Sequence, residues 1–266
     1  MRKLWFVVPV HGRLGLTKIC LRHLRRTCDA LLERDVKATA VVVSDADTLD
    51  VLNVGELGFG WVRRDNQFTS RRFNDGIQLA TDPKFNPAPA DFVVPFGSDD
   101  WADYRLFADP LPNRNQIFGF QRMAFVREDG REISTTFLDY QGGSGIRIIP
   151  RELVAPLGYR PADEDRERGC DTSILTNIRR EHGKLEIKHW HLNDYQIVDW
   201  KSRGEQLNPY KNVTTMRTSE RADDPFTALA PYYDEDALEE MKLYYFGVDV
   251  TAFGDREPRV LMGETP

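Results

Sequence analysis

Apolar positions in the N-terminal part of the chain follow two rhythms. Trp5-Phe6-Val7-Val8-Pro9-Val10 is apolar without a break, the pattern of a strand covered on both faces of a parallel sheet. His11-Gly12-Arg13 interrupts it. Leu16, Ile19, Cys20 and Leu24 then recur at helical spacing, with Arg22, Arg25 and Arg26 mostly on the other side. Ala38–Val43 predicts a second strand ending at Ser44-Asp45-Ala46-Asp47, and Phe59–Val62 a third. Phe73, Ile77 and Ala80 form the stripe of a second helix, and Asp91–Phe96 predicts a strand ending at Gly97-Ser98-Asp99-Asp100. Pro95 lacks a ladder donor, so that strand bends or ends there. The order predicts an α/β fold with a doubly wound, mostly parallel sheet and helices on both faces. Ligands of such sheets bind beyond the carboxyl ends of the strands, where the polar clusters at 11–13, 44–47 and 97–100 all fall.

The remainder reads differently. Ile117–Val126 and Glu132–Phe137 flank Glu128-Asp129-Gly130-Arg131 as the arms of a hairpin with an Asp-Gly turn. Gly142-Gly143-Ser144-Gly145 reads as a loop before a strand at Ile146–Ile149, after which Pro150 opens a short helix. Asp163–Arg168 reads as a solvated charge run, Asp171–Arg180 as a helix and Lys188–Leu192 as a strand. Signals are few beyond about residue 205 until a helix at Glu235–Phe246. The division expected is one domain over 1–205, with halves at 1–110 and 111–205, and a C-terminal extension over 206–266.

Composition narrows the class. The 266 residues are 41% hydrophobic, with 15 Phe, 9 Tyr and 5 Trp, enough for a sizeable core. A net charge of −6 argues against attachment to nucleic acid by charge alone. It leaves room for a local phosphate-binding strip from Arg22, Arg25, Arg26, Arg63 and Arg64. Three cysteines, Cys20, Cys28 and Cys170, are too few and scattered for a disulfide framework or zinc cage. The longest apolar runs, Leu4–Val10 and Ala38–Val43, are far short of a membrane span. The run after Met1-Arg2-Lys3 ends too early for a secretory leader. A cytoplasmic protein with no membrane partner is the expectation.

Three clusters carry candidate chemistry. Adjacent carboxylates at Asp99 and Asp100 repel one another on a buried edge. They suit a divalent ion bearing a diphosphate, or else a loop with a helix cap. In Thr69-Ser70-Arg71-Arg72-Phe73-Asn74-Asp75-Gly76, Thr69 or Ser70 can cap a helix whose first turn holds two arginines. They are electrostatically misplaced there unless an anion docks or they point into water. Asp45 can accept hydrogen bonds from a nucleobase or ribose, or form an Asx-turn.

Together these pieces resemble the nucleotide-binding half of GT-A glycosyltransferases, most like the family-2 type. The matching residues are Val7-Val8-Pro9-Val10, Asp45, Arg72-Phe73-Asn74-Asp75-Gly76-Ile77 with Ala80, and Phe96-Gly97-Ser98-Asp99-Asp100, over about residues 4–106. The resemblance implies a GT-A fold whose 1–110 half binds a nucleotide sugar and whose 111–205 half holds the acceptor. It implies a donor, most simply a UDP-sugar, held by Pro9, Val10, His11, Asp45, Arg71, Arg72, Asn74, Ser98 and Asp99. Mn²⁺ or Mg²⁺ is expected on Asp99 and Asp100, completed by His191 or His189. Gly97 departs from the family pattern, standing where the first Asp of Asp-x-Asp is usual. Gly158-Tyr159-Arg160-Pro161 and Glu167-Arg168-Gly169-Cys170-Asp171 look like the acceptor segment. They imply Asp171 as general base, with Glu167 second, in an inverting transfer. Trp101, Gly143 and Ser144 are acceptor-binding candidates, Trp101 equally plausible as core. The acceptor expected is a hydroxyl of a soluble protein, a polysaccharide, or a hydroxymethylated base in DNA of the phage type. A sugar-phosphate nucleotidyltransferase is one rival, although His11-Gly12-Arg13-Leu14-Gly15 is a poor triphosphate loop. A non-catalytic carbohydrate-binding relic is the other.

Overall fold

A computed structural model describes residues 1–65, 68–108, 115–120, 122–129, 132–139, 146–183, 185, 187–190, 197–201 and 218–246. At its centre β1 (Arg2–Pro9) pairs in parallel with β2 (Val36–Ser44) and β4 (Phe92–Pro95). β3 (Gly60–Arg63) extends the parallel set beyond β2. On the other side come β9 (Arg147–Pro150), β6 (Ile117–Phe120) and β10 (Ile187–Trp190), giving the order β10-β6-β9-β4-β1-β2-β3. β9 alone runs against its neighbours in this sheet. The α/β class and the mostly parallel central sheet expected from the pattern are both present.

Alternation along β1 explains the layers. Leu4, Phe6 and Val8 face α1 (Leu14–Leu32), where Leu21, Leu24, Cys28 and Leu31 meet them. Val7 faces the other way, with Val41, Val43 and Val93, onto α3 (Thr69–Thr81) and α6 (Cys170–His182). Gly76 sets how closely α3 seats on the sheet. A Cβ there would run into Val7 and lie 3.1 Å from Val43 Cγ2. That close approach is a packing reason for a glycine inside a helix.

A second sheet, β12-β8-β7-β11-β5, was not visible in the sequence pattern. It contains β5 (Asp100–Ala102), β7 (Arg122–Asp129), β8 (Glu132–Asp139), β11 (Ile197–Lys201) and β12 (Thr218–Ala222). The arm read as Ile117–Val126 is therefore two strands in two sheets. Both halves are apolar and buried, and hydropathy does not say which sheet a strand joins. The hairpin itself is present, with Asp129 opposite Glu132. Its Gly130 and Arg131, like the loop containing Gly143 and Ser144, lie outside the described residues.

Shorter helices complete the described chain: α2 (Ala46–Leu52), α4 (Arg105–Ala108), α5 (Arg151–Val154) and α7 (Pro225–Leu229). The last helix is α8 (Glu235–Phe246), where Leu238, Met241 and Tyr245 join Leu16, Ile19, Trp101 and Trp200 in a separate core. Pro95 ends β4 as anticipated, and Pro150 ends β9 and immediately precedes α5. The cysteines are all free and buried. Among the described residues no helix is long and apolar enough to cross a membrane.

The run 163–168 is not simply solvated. Asn74, fully buried on α3, donates from Nδ2 to the Ala162 carbonyl (2.9 Å) and to Glu164 Oε1 (3.0 Å), and its Oδ1 accepts from the Ala162 amide (2.8 Å). Ser70 and Arg166 exchange two further bonds of 3.0 and 2.9 Å. This segment is thus a strap across the start of α3. Backbone groups on both sides satisfy one another there, which charge content alone does not reveal.

Candidate active site

Three carboxylates meet at the carboxyl edge of the central sheet. Oxygens of Asp99, Asp100 and Asp199 all lie within 4.8 Å of one another, and all three residues are buried. Asp100 sits on β5 directly opposite Asp199 on β11, so the second sheet delivers the third carboxylate. Asp199 was missed in the sequence. Its signal is a single carboxylate within Ile197-Val198-Asp199-Trp200, an otherwise apolar stretch. Buried carboxylates this close demand compensating positive charge or donors. Arg13 Nη1 supplies one at 2.7 Å from Asp99 Oδ2, and the Gly97 amide donates to Asp100 Oδ2 at 2.8 Å. A Cβ at position 97 would lie 2.5 Å from that Asp100 oxygen. Glycine at this point of the motif is what lets the Asp100 carboxylate fold back onto the backbone.

Next to this cluster, the ends of β1 and β2 are tied together. Val10 donates its amide to the Val43 carbonyl (2.9 Å), and its own carbonyl accepts from Ser44 Oγ (3.0 Å) and Arg72 Nη1 (2.6 Å). Pro9 and Val10 are buried, whereas His11 is exposed. Arg72 is 1% exposed, and burial lowers its pKa against the opposing pull of Asp45 and Glu167. Asp45 caps α2 by accepting from the Thr48 amide at 2.8 Å. That bond chiefly holds its carboxyl below the usual range, with Arg72 contributing. Asp45 remains half-exposed, so capping leaves the carboxylate accessible to a ligand.

Several candidates have other occupations. Arg71 Nη2 reaches Asp165 at 2.6 Å and Nε donates to the Glu164 carbonyl at 3.1 Å, so this guanidinium is fastened to the strap. Asn74 is consumed by the same strap, and a fully hydrogen-bonded, buried amide does not reach a nucleotide. α3 begins after Phe68 with no side-chain cap; Thr69 instead donates to Glu167 Oε2 (3.1 Å), which places Glu167 at the α3 end. Trp101 is completely buried, stacked on His23 at 4.3 Å between centroids and edge-on to Trp200. It is a core residue and no acceptor platform. Ser98 is buried beside Asp99. His191 lies outside the described residues, as does any ligand it would offer.

Asp171 occupies the first turn of α6, where the helix end stabilises negative charge. Arg147, buried at the start of β9, reaches it with Nη1–Oδ2 at 3.5 Å. β9 runs antiparallel to β4, with Phe92 opposite Pro150 and Val93 opposite Ile149. Continuing that register puts Arg147 level with the carboxyl end of β4, so Asp171 stands at the same edge of the sheet as Asp99. Arg147 was another residue missed in the sequence, although a lone cation in Ile146-Arg147-Ile148-Ile149 marks it.

No family model matches the chain. Among curated proteins it is similar to a guanylate kinase of Maricaulis maris, 32% identical over 98 residues. That alignment takes in 34% of this chain and 44% of that protein, so the chain spans under half the length of the curated relative it matches. Among solved structures it is similar to the catalytic domain of Drosophila β1,4-galactosyltransferase 7 in complex with xylobiose. The identity is 15%, the cover 83% of this chain and 82% of that one, and the TM-score 0.45. A mutant of that enzyme with manganese, UDP-Gal and xylobiose gives 13%, 90%, 84% and 0.47. The 4-diphosphocytidyl-2C-methyl-D-erythritol synthase of Anaerococcus prevotii gives 10%, 71%, 89% and 0.43.

Proposed function

We propose that the protein is a metal-dependent glycosyltransferase of the GT-A type that moves a sugar from a nucleotide-sugar donor to an acceptor hydroxyl. The observation that carries this reading is the buried Asp99–Asp100–Asp199 cluster at the strand ends, beside the Val10, Ser44 and Arg72 knot. An all-oxygen donor set of this kind fits Mg²⁺ or Mn²⁺. Asp99, Asp100 and Asp199 would hold the ion, which supplies charge neutralisation to the departing diphosphate. Asp45 takes the nucleoside, most simply of a UDP-sugar, and Arg72 braces the strand ends beneath it. Asp171 accepts the proton of the acceptor hydroxyl. The acceptor oxygen forms a bond to the anomeric carbon as the bond to the diphosphate oxygen breaks, and the electron pair leaves with the nucleotide. Displacement from the opposite face gives inversion.

For the acceptor, a saccharide or protein hydroxyl is preferred to DNA. Of the arginines considered as a phosphate strip, Arg22 pairs with Glu240, Arg25 with Asp29 and Arg64 with Asp75. Pairing of three of the five offsets much of the single-sign field that attracts a phosphate backbone. The deciding experiment is a thermal-shift series with nucleoside diphosphates and nucleotide sugars, with and without Mn²⁺. A ligand of the folded state raises the melting temperature by mass action. A Mn²⁺-dependent rise with one nucleotide sugar, absent in Asp199→Asn, is expected. A series in which no nucleotide shifts the melting temperature at any metal concentration overturns the reading.

A further inference from the structure

We propose that a cavity of about 440 Å³ between α1, the segment after β5 and the turn at 231–234 is a second binding site, for a neutral saccharide. Its volume falls in the ~300–1,000 Å³ range of small-molecule sites. None of its lining residues belongs to the carboxylate cluster or to the knot around Val10, so the inference stands apart from the proposed transfer.

The lining selects a class of ligand. Its charged side chains are Arg26 and Arg105 against Asp103 and Asp234. The count balances, and Arg105 Nε lies 2.9 and 3.0 Å from the two Asp103 oxygens, already neutralising that carboxylate. His23 adds no charge, because burial pushes its pKa down to about 3. A pocket without a prevailing sign does not concentrate phosphate or a cation. Tyr104, Tyr232 and Tyr233 supply aromatic surface with polar rims. A pyranose has the complementary make-up: a C–H face that packs on an aromatic ring, and hydroxyls that donate to carboxylates and accept from guanidinium groups. The Asp103–Arg105 pair is held further by the Arg105 amide on Asp103 Oδ1 at 2.9 Å. The polar part of the wall is thus organised before any ligand arrives, which lowers the cost of binding.

The test is calorimetry and saturation-transfer NMR on the full chain with cellobiose, xylobiose and maltotriose, with inorganic phosphate as the charged probe. Binding of at least one of the three sugars is expected, unaffected by salt and retained in Asp99→Asn. A loss of about tenfold or more is expected in both Tyr232→Ala and Arg26→Ala, with melting temperatures near wild type. Arg26 is exposed, so its truncation reports on the site even should Tyr232→Ala fold poorly. The proposal is overturned if none of the three sugars binds, if Arg26→Ala binds as well as wild type, or if phosphate binds more tightly than the sugars. Loss of sugar binding in Asp99→Asn overturns it too, by placing the sugar at the carboxylate cluster.

Discussion

The Arg13 guanidinium donates to Asp99 across 2.7 Å, from a backbone held in the left-handed region at φ 51°. Arg13 thereby offsets part of the charge that three converging carboxylates accumulate, at the very place where a divalent ion is proposed. For Arg13→Gln, Mn²⁺ affinity is expected to rise about tenfold, because the competing charge is gone. Stability without metal is expected to fall by about 1–3 kcal/mol as the Arg13–Asp99 ion pair is lost. Calorimetric titration with Mn²⁺ and urea unfolding check the two effects.

Asp199→Asn removes a charged oxygen from the cluster while keeping the side chain's size. Loss of about 100-fold in Mn²⁺ affinity is expected, the scale on which metal sites respond to altered ligand environments. Equal Mn²⁺ affinity in wild type and variant would show that Asp199 is no ligand. Calorimetry reads this without any turnover.

Asp171→Asn keeps shape and hydrogen bonding but cannot take a proton. Donor binding, read by thermal shift, is expected to stay within about twofold of wild type, while sugar transfer falls by about 10²–10⁴. Normal transfer by the variant would move the base elsewhere.

His23 links stability to acidity. Burial chiefly holds its pKa near 3 against an ordinary 6.5. The folded chain therefore binds this proton less readily than the unfolded one. The contribution is fully present above pH 6.5 and is lost as pH falls towards 3. By pH 5 the loss is about 2 kcal/mol relative to neutral-to-alkaline conditions. His23→Phe keeps a ring against Trp101 and carries no proton. Urea unfolding of the variant is expected to show that much less pH dependence between pH 8 and 5.

Gly76→Ala tests how α3 seats on the sheet. Overpacking against Val7 and Val43 is expected to cost about 1–3 kcal/mol, despite the better helix propensity of alanine. Thermal unfolding measures the sign.

The middle of the central sheet was legible because β1, the carboxyl half of β2 and β4 are covered on both faces and so read as apolar runs. The gathering of the polar clusters at 11–13, 44–47 and 97–100 on one edge followed from topology alone, and Arg13 on Asp99 and Ser44 on Val10, the residue before His11, are its outcome. What stayed hidden depends on partners remote in the chain. Asp199 joins the carboxylates only through the pairing of β11 with β5, and nothing local in Ile197–Lys201 specifies that neighbour. Arg71 and Asn74 have the residue types of ligand-binding groups, yet their partners in the 162–165 stretch lie about ninety positions away. Trp101 next to two carboxylates was open as a binding platform or a core residue, and alternation on β5 turns it inward to His23 and Trp200.

The clasp of Asn74 and Ser70 on Ala162 and Arg166 also bears on motion. It fuses α3 to the stretch leading into the Asp171 helix, so these two elements travel as one block. Under the proposed function, transfer would then need no swing of one half towards the other, because the placement of the base relative to α3 is built into the resting fold.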